Sequence, residues 1–299
     1  MIPLTALPRT RFADAALTLP RRTGLVMALA GIWLISAVSL SAQSDREPDP
    51  SRLEAFLSVT GFDTALDSIA LSAADAPMML GRDASEFGTD WTRTVEDVFD
   101  PDVMRSMALG ILDRALSDDL MNHAVEFYAS DLGQRLVAVE NAAHMADDGE
   151  TSREEGARIV AQLVREGAPR LELLQRMGPA IDPTDNSVRA VEEIQIRFLL
   201  SASAAGVVPM ELDEASLRLV MEEQRDTLRL VMREAGMAHA AYVYRSFDDA
   251  ELEQYVEALE HPDMQRVYEL MNAIQYEIMA NRFEVLALRM ADLHPGQEL

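Results

Sequence analysis

Apolar residues recur at intervals of three and four positions along most of the chain, and this periodicity limits the possible folds more than any other feature. One example is the series Leu217, Val220, Met221 and Leu228. Such intervals place apolar side chains on one face of an α-helix, whereas a half-buried strand requires strict alternation. No stretch beyond residue 50 alternates long enough to indicate a sheet. The sequence therefore predicts an all-α fold.

Residues that cap helices mark several of the boundaries. Asp248 followed by Glu251 fits the capping box, in which two side chains satisfy free amides at a helix start. Ser152 and Glu155 have the same spacing. The polar segment 178–187 begins with the dipeptide Gly-Pro, so we expect the preceding helix to end there and a linker to follow.

These boundaries divide the chain into two halves. With 299 residues and 48% hydrophobic side chains, the chain can bury one large core or two modest ones. We place helical lobe one at 51–177 and helical lobe two at 188–299, joined by the linker 178–187. The polar, proline-containing residues 43–50 are interpreted as a flexible tether.

The two halves resemble each other. Segments 116–142 and 247–273 align without gaps at an offset of 131 residues, with seven identities in 27 positions. Asn141 and Asn272 are one identical pair. The predicted architecture is therefore a two-lobed helical bundle that arose by internal duplication of a helical hairpin.

The first 42 residues have the layout of a secretory signal peptide. Four arginines between residues 9 and 22 precede an apolar run at 24–38, and small residues follow at 39–42. The apolar run is shorter than the roughly 20 residues that span a bilayer. We therefore predict a signal peptide at 1–42 and a periplasmic protein. The alternative is an uncleaved segment that anchors the chain in the inner membrane.

Charge and cysteine content exclude several classes of function. The net charge is −25, and removal of residues 1–42, with four arginines and one aspartate, would make it −28. An acidic chain repels phosphate groups, so we expect no nucleic-acid partner and no membrane contact except through an uncleaved signal segment. The absence of cysteine excludes disulfides, thiolate metal sites and a cysteine nucleophile.

The most informative segment is 127–136, which predicts a corner between two helices. Two aromatic residues close one helix, and Ser130 is expected to cap the next. Gly133 lacks a side chain, so the second helix can approach a neighbour closely. The residues of this predicted structural corner are Phe127, Tyr128, Ser130, Gly133, Gln134 and Arg135.

This corner resembles the domain of unknown function 2059 (DUF2059), in which the equivalent segment commonly reads Phe-Tyr-x-Ser-Pro-x-Gly-x-Lys. The resemblance is strongest at 105–145 and has a weaker second copy at 236–280. Asp131 and Arg135 depart from the proline and lysine of the family, and the second copy lacks the aromatic pair. The resemblance implies an exported helical protein, and it implies no catalytic residues.

Candidate catalytic and metal-binding residues are scarce. His123 and Glu126 lie one helical turn apart and could supply two metal ligands, but a solvated pair is the simpler interpretation. No histidine pair has the spacing of a metal site, and no nucleophile elbow, phosphate loop or dinucleotide motif is present. We therefore expect no catalytic, cofactor-binding or metal site. The histidines are His123, His144, His239, His261 and His294.

The composition favours a binding role over catalysis. Fifteen methionines follow residue 42. Methionine fills cores, and it also lines adaptable grooves that accept varied peptides. The sequence favours a non-catalytic binding or envelope-assembly module whose partner is an envelope protein or peptide. The alternative is a hydrolase with a carboxylate and histidine site between the two lobes.

Overall fold

The structure, a computed structural model, describes residues 50–146, 149–183, 185–208 and 212–293. Within these ranges the regular structure is entirely helical, which confirms the all-α prediction. The signal peptide and the tether up to residue 49 lie outside the described residues. The elements are α1 (Pro50–Thr60), α2 (Phe62–Asp67), α3 (Ile69–Ala73), two 3-10 helices (Ala76–Leu80 and Ala84–Phe87), α4 (Trp91–Val98), α5 (Pro101–Ala115), α6 (Asp118–Tyr128), α7 (Asp131–His144), α8 (Gly149–Glu166), α9 (Arg170–Ile181), α10 (Asn186–Ala204), α11 (Glu214–Val243), α12 (Asp249–Glu260) and α13 (Pro262–Leu293).

One predicted capping box is present and the other is wrong. The Asp248 side chain accepts a hydrogen bond from the Glu251 amide at 2.9 Å, and the Glu251 side chain accepts one from the Asp248 amide at 3.0 Å. Ser152 instead lies inside α8, and its hydroxyl donates to the Gly149 carbonyl at 3.3 Å. A serine that bonds a carbonyl of its own helix has no part in capping.

The helix end predicted at the start of segment 178–187 is also wrong. Helix α9 continues through Pro179 and ends at Ile181. Met177 and Ala180 are buried on either side of the proline. The missing amide of Pro179 costs one hydrogen bond near the helix end, and the burial of these neighbours offsets that loss.

Helix α13 lies at the centre of the molecule and packs against α4, α5, α6, α9, α10 and α12. Its Phe283 contacts Phe99 and Phe198 edge to face, with ring centroids 5.2 Å and 6.1 Å away. Phe99 precedes the predicted linker and Phe198 follows it, so residues from both halves share one hydrophobic core. The assignment of two separate lobes, 51–177 and 188–299, stays a prediction.

Methionine contributes mainly to this interior. Eight methionines of the described ranges are buried, including Met104, Met264 and Met290 at 0% exposure. Met78 and Met145 are about half exposed, at 47% and 50%. The flexible thioether side chains therefore serve chiefly to fill the core.

Helices α8 and α11 form an extensive pair beside this core. Gly156 of α8 lies against the backbone of Ala238, where an added Cβ would come within 2.7 Å of the carbonyl carbon. The glycine thus allows the two helix backbones to approach closely. Across the described ranges, none of the helices combines the length and hydropathy that a bilayer-spanning segment requires.

The two segments of the predicted repeat have corresponding helix starts. Helices α6 and α7 begin at residues 118 and 131, and α12 and α13 begin at 249 and 262. Each difference equals the 131-residue offset of the sequence alignment. The duplication itself stays a prediction.

Candidate functional site

The corner predicted from the sequence lies between α6 and α7. Helix α6 ends at Tyr128, and Ser130 is the N-cap of α7. The Ser130 hydroxyl accepts a hydrogen bond from the Gly133 amide at 3.1 Å and donates one to the Phe127 carbonyl at 2.7 Å. One short side chain therefore satisfies groups at the end of one helix and at the start of the next.

Gly133 brings the first turn of α7 against the last turn of α6. A Cβ built on Gly133 would lie 2.6 Å from the Cα of Tyr128 and would also overlap the carbonyl oxygen of Phe127. Both contacts are to backbone atoms, which cannot move aside as a flexible side chain would. The steric requirement at Gly133 is therefore set by the corner itself.

Gln134 and Arg135 extend the corner toward other elements. The Gln134 amide donates to the Tyr128 carbonyl at 2.6 Å. Arg135 pairs with Glu251 at 2.6 Å, and its guanidinium lies 5.4 Å from the ring centroid of Phe247. Gln134 thus completes the end of α6, and Arg135 ties the corner to the start of α12.

Tyr128 belongs to a hydrogen-bonded group that the sequence did not reveal. We call Tyr128, Glu140, Tyr244, Tyr255 and Tyr268 the tyrosine–glutamate network. Tyr244 and Tyr255 donate to the same carboxylate oxygen of Glu140, at 2.7 Å and 2.8 Å. The hydroxyls of Tyr128 and Tyr268 are 2.5 Å apart, and those of Tyr255 and Tyr268 are 3.3 Å apart.

Burial of this network raises the pKa of its groups. Desolvation raises the pKa of Glu140, and hydrogen bonds from Tyr244 and Tyr255 act in the opposite direction. Desolvation also raises the pKa of each of the tyrosines well above the ordinary value. The phenols therefore act as hydrogen-bond donors, and the network connects α6 and α7 with α12, α13 and the residue after α11.

A second group combines two histidines that are far apart in the sequence. The rings of His123, on α6, and His261, between α12 and α13, stack with centroids 4.3 Å apart and planes inclined by 27°. A ligand atom of Asp263 lies with one from each histidine inside a span of 4.8 Å. The sequence had paired His123 with Glu126, whereas the structure brings it to His261 and Asp263.

The other histidines have a different environment. Burial lowers the pKa of His144 to about 3 and that of His239 to about 4. Both imidazoles are therefore neutral under ordinary conditions. His294 lies outside the described residues.

An open cleft of about 530 Å³ lies among α10, α11, α13 and the end of α9. Arg225 donates hydrogen bonds to both carboxylate oxygens of the buried Glu192, and the shortest of these are 2.9 Å long. Arg218 pairs with Glu193 at 3.0 Å. These charge-assisted bonds fix the walls of a strongly polar cleft.

Two of the three comparisons with known proteins gave no match: no curated protein and no solved structure is similar to this chain. The third found a family, described as "Uncharacterized protein conserved in bacteria (DUF2059)", whose model matches residues 102–162. The match confirms the resemblance predicted at 105–145. It includes the corner, His123 and Glu140. Over residues 102–162 the chain therefore matches the DUF2059 family of bacterial proteins.

Proposed function

We propose that this protein is an exported, non-catalytic binding module of the bacterial envelope, and that its ligand contacts the cleft among α10, α11 and α13. The mixed charge of the cleft carries the proposal. Exposed Arg189 and Glu269 both line it, beside the inner pairs formed by Arg218 and Arg225. An envelope peptide that carries charges of both signs would complement this lining.

The state of the inner carboxylates favours binding over hydrolysis. Hydrolysis requires a base or nucleophile that is free to react. Glu192 and Glu193 are instead bound to guanidinium groups, and the lining of the cleft includes no histidine. These fixed ion pairs suit a preorganised recognition surface, and the hydrolase alternative therefore remains second.

Charge reversal in the cleft tests the proposal. A photoreactive amino acid at position 189 should crosslink a partner in intact cells, and Glu269→Arg should reduce that crosslinking about tenfold, equivalent to about 1.4 kcal/mol. Arg158 is an exposed arginine on α8, away from the cleft, and the same probe at position 158 serves as the control. Equal crosslinking from both positions, unaffected by Glu269→Arg, would refute the assignment of the cleft.

Export is tested separately. The basic, apolar and small-residue segments of 1–42 support cleavage after Ser41 or Ala42. Mass spectrometry of the periplasmic fraction should find an amino terminus at Ala42 or Gln43. An intact Met1 terminus recovered with the inner membrane would instead support the anchored alternative.

A further inference from the structure

We propose that His123, His261 and Asp263 form a binding site for a divalent transition-metal ion, with zinc the best match. From the sequence we expected no metal site, because no two histidines have the spacing of metal ligands, and His123 and His261 are 138 positions apart. The fold brings one ligand atom of each residue within 4.8 Å of the others. Two imidazoles and one carboxylate are a common donor set for zinc, with water in the fourth position.

The distances within the group fit an ion. Nδ1 of His261 and Oδ2 of Asp263 are 4.0 Å apart. This separation is about twice the usual zinc–ligand distance of roughly 2.0 to 2.1 Å. A tetrahedral ion would therefore draw the two atoms together by only a fraction of an ångström.

The two rings lie close enough to reach one ion after a side-chain rotation. Imidazole lone pairs lie in the plane of the ring, so binding of one ion by both histidines requires one ring to turn out of the stacked arrangement, in which the centroids are 4.3 Å apart and the planes are inclined by 27°. Nδ1 of His261 lies 3.2 Å from the Asp263 amide, in position to accept its hydrogen bond. A metal ion would take the place of this weak hydrogen bond.

The electrostatic setting favours a cation, with one local competitor. The chain has a net charge of −25, which attracts cations to its surface. Arg266 lies 3.4 Å from Oδ1 of Asp263 and competes for the carboxylate. The other oxygen, Oδ2, is the one nearer to His261, so the ion and the guanidinium can use different oxygens.

The location of the site gives the bound ion a structural effect. His123 lies on α6, inside the region matched by the family, and His261 lies at the corner between α12 and α13. An ion held by both would connect the two segments that correspond in the sequence alignment. Saturating zinc should therefore raise the melting temperature of the protein by about 5 °C.

Calorimetric titration of the tag-free, chelator-treated protein with zinc chloride tests the site. We expect one ion per chain, and we expect His123→Ala, His261→Ala and Asp263→Asn each to weaken binding at least tenfold. Glu257→Gln removes an exposed carboxylate of α12 outside the group and should leave the affinity within twofold of that of the unaltered protein.

A second measurement keeps the test valid if a variant fails to fold. In nitrogen-15 spectra of the unaltered protein, zinc should shift ring nitrogens of His123 and His261 together and leave those of His144 and His239 unchanged. No zinc binding, undiminished binding by a folded His261→Ala variant, or spectra in which neither His123 nor His261 responds would overturn the proposal.

Discussion

Replacing Gly133 with leucine should destabilise the protein by about 3 kcal/mol, because the new side chain meets backbone instead of space. The first atom added, Cβ, already lies 2.6 Å from the Cα of Tyr128. Relief requires the corner between α6 and α7 to open, which would also strain the hydrogen bond that the Gly133 amide donates to the Ser130 hydroxyl. Urea unfolding monitored by circular dichroism measures the change.

Gly110 supplies a matched control for this experiment. It lies in helix α5 and is exposed, with no atom within 4 Å of an added Cβ. Gly110→Ala should therefore stabilise the protein by about 0.5 to 1 kcal/mol through helix propensity alone. If Gly133→Leu also raised the stability, the steric account of the corner would be wrong and a surface role would be the better hypothesis.

Removal of the Glu140 side-chain carboxyl group should also lower the stability of the protein substantially. Glu140→Ala deprives Tyr244 and Tyr255 of their shared acceptor and should cost about 2 to 3 kcal/mol, the usual consequence of leaving buried hydroxyls unpaired. Glu140→Gln keeps an oxygen acceptor, so its cost at neutral pH should be much smaller. Thermal unfolding of the two variants shows how much of the loss of stability comes from the missing oxygen acceptor.

The Gln variant also gives a pH test with a defined sign. Burial raises the folded-state pKa of Glu140 above 4.5. A carboxyl with a raised pKa contributes stability below its unfolded-state pKa and loses that contribution as the pH rises through its folded-state pKa. The stability of Glu140→Gln relative to the unaltered protein should therefore increase as the pH rises above about 4.5. A difference that is independent of pH would show that Glu140 ionises in the folded protein as it does in the unfolded chain.

Local chemistry explains which parts of the fold the sequence could predict. The capping box at Asp248 and the N-cap at Ser130 depend on residues within three positions, and both are present. The errors at Ser152 and Pro179 have a different origin. At Ser152 a bond within the helix replaced the cap, and at Pro179 burial of neighbouring residues outweighed a helix-breaking signal.

The groups that form the candidate sites could not be predicted because their members are distant in sequence. The tyrosine–glutamate network extends from residue 128 to residue 268, and no spacing distinguishes its tyrosines or Glu140 in a chain with 51 acidic residues. His123 and His261 likewise become neighbours only when α6 meets the corner before α13. Only the residues in the matched region, such as Tyr128, carried a signal, and that signal came from the resemblance to a family.

The central position of α13 has a consequence for how the chain acquires its structure. Helix α13 is synthesised after every helix against which it packs, namely α4, α5, α6, α9, α10 and α12. The earlier helices therefore leave the ribosome before α13 is available, and the part of the core to which α13 contributes can form only after its synthesis. Completion of the core only after synthesis of α13 is compatible with the export proposed above, because a general secretion channel accepts chains that have not yet folded.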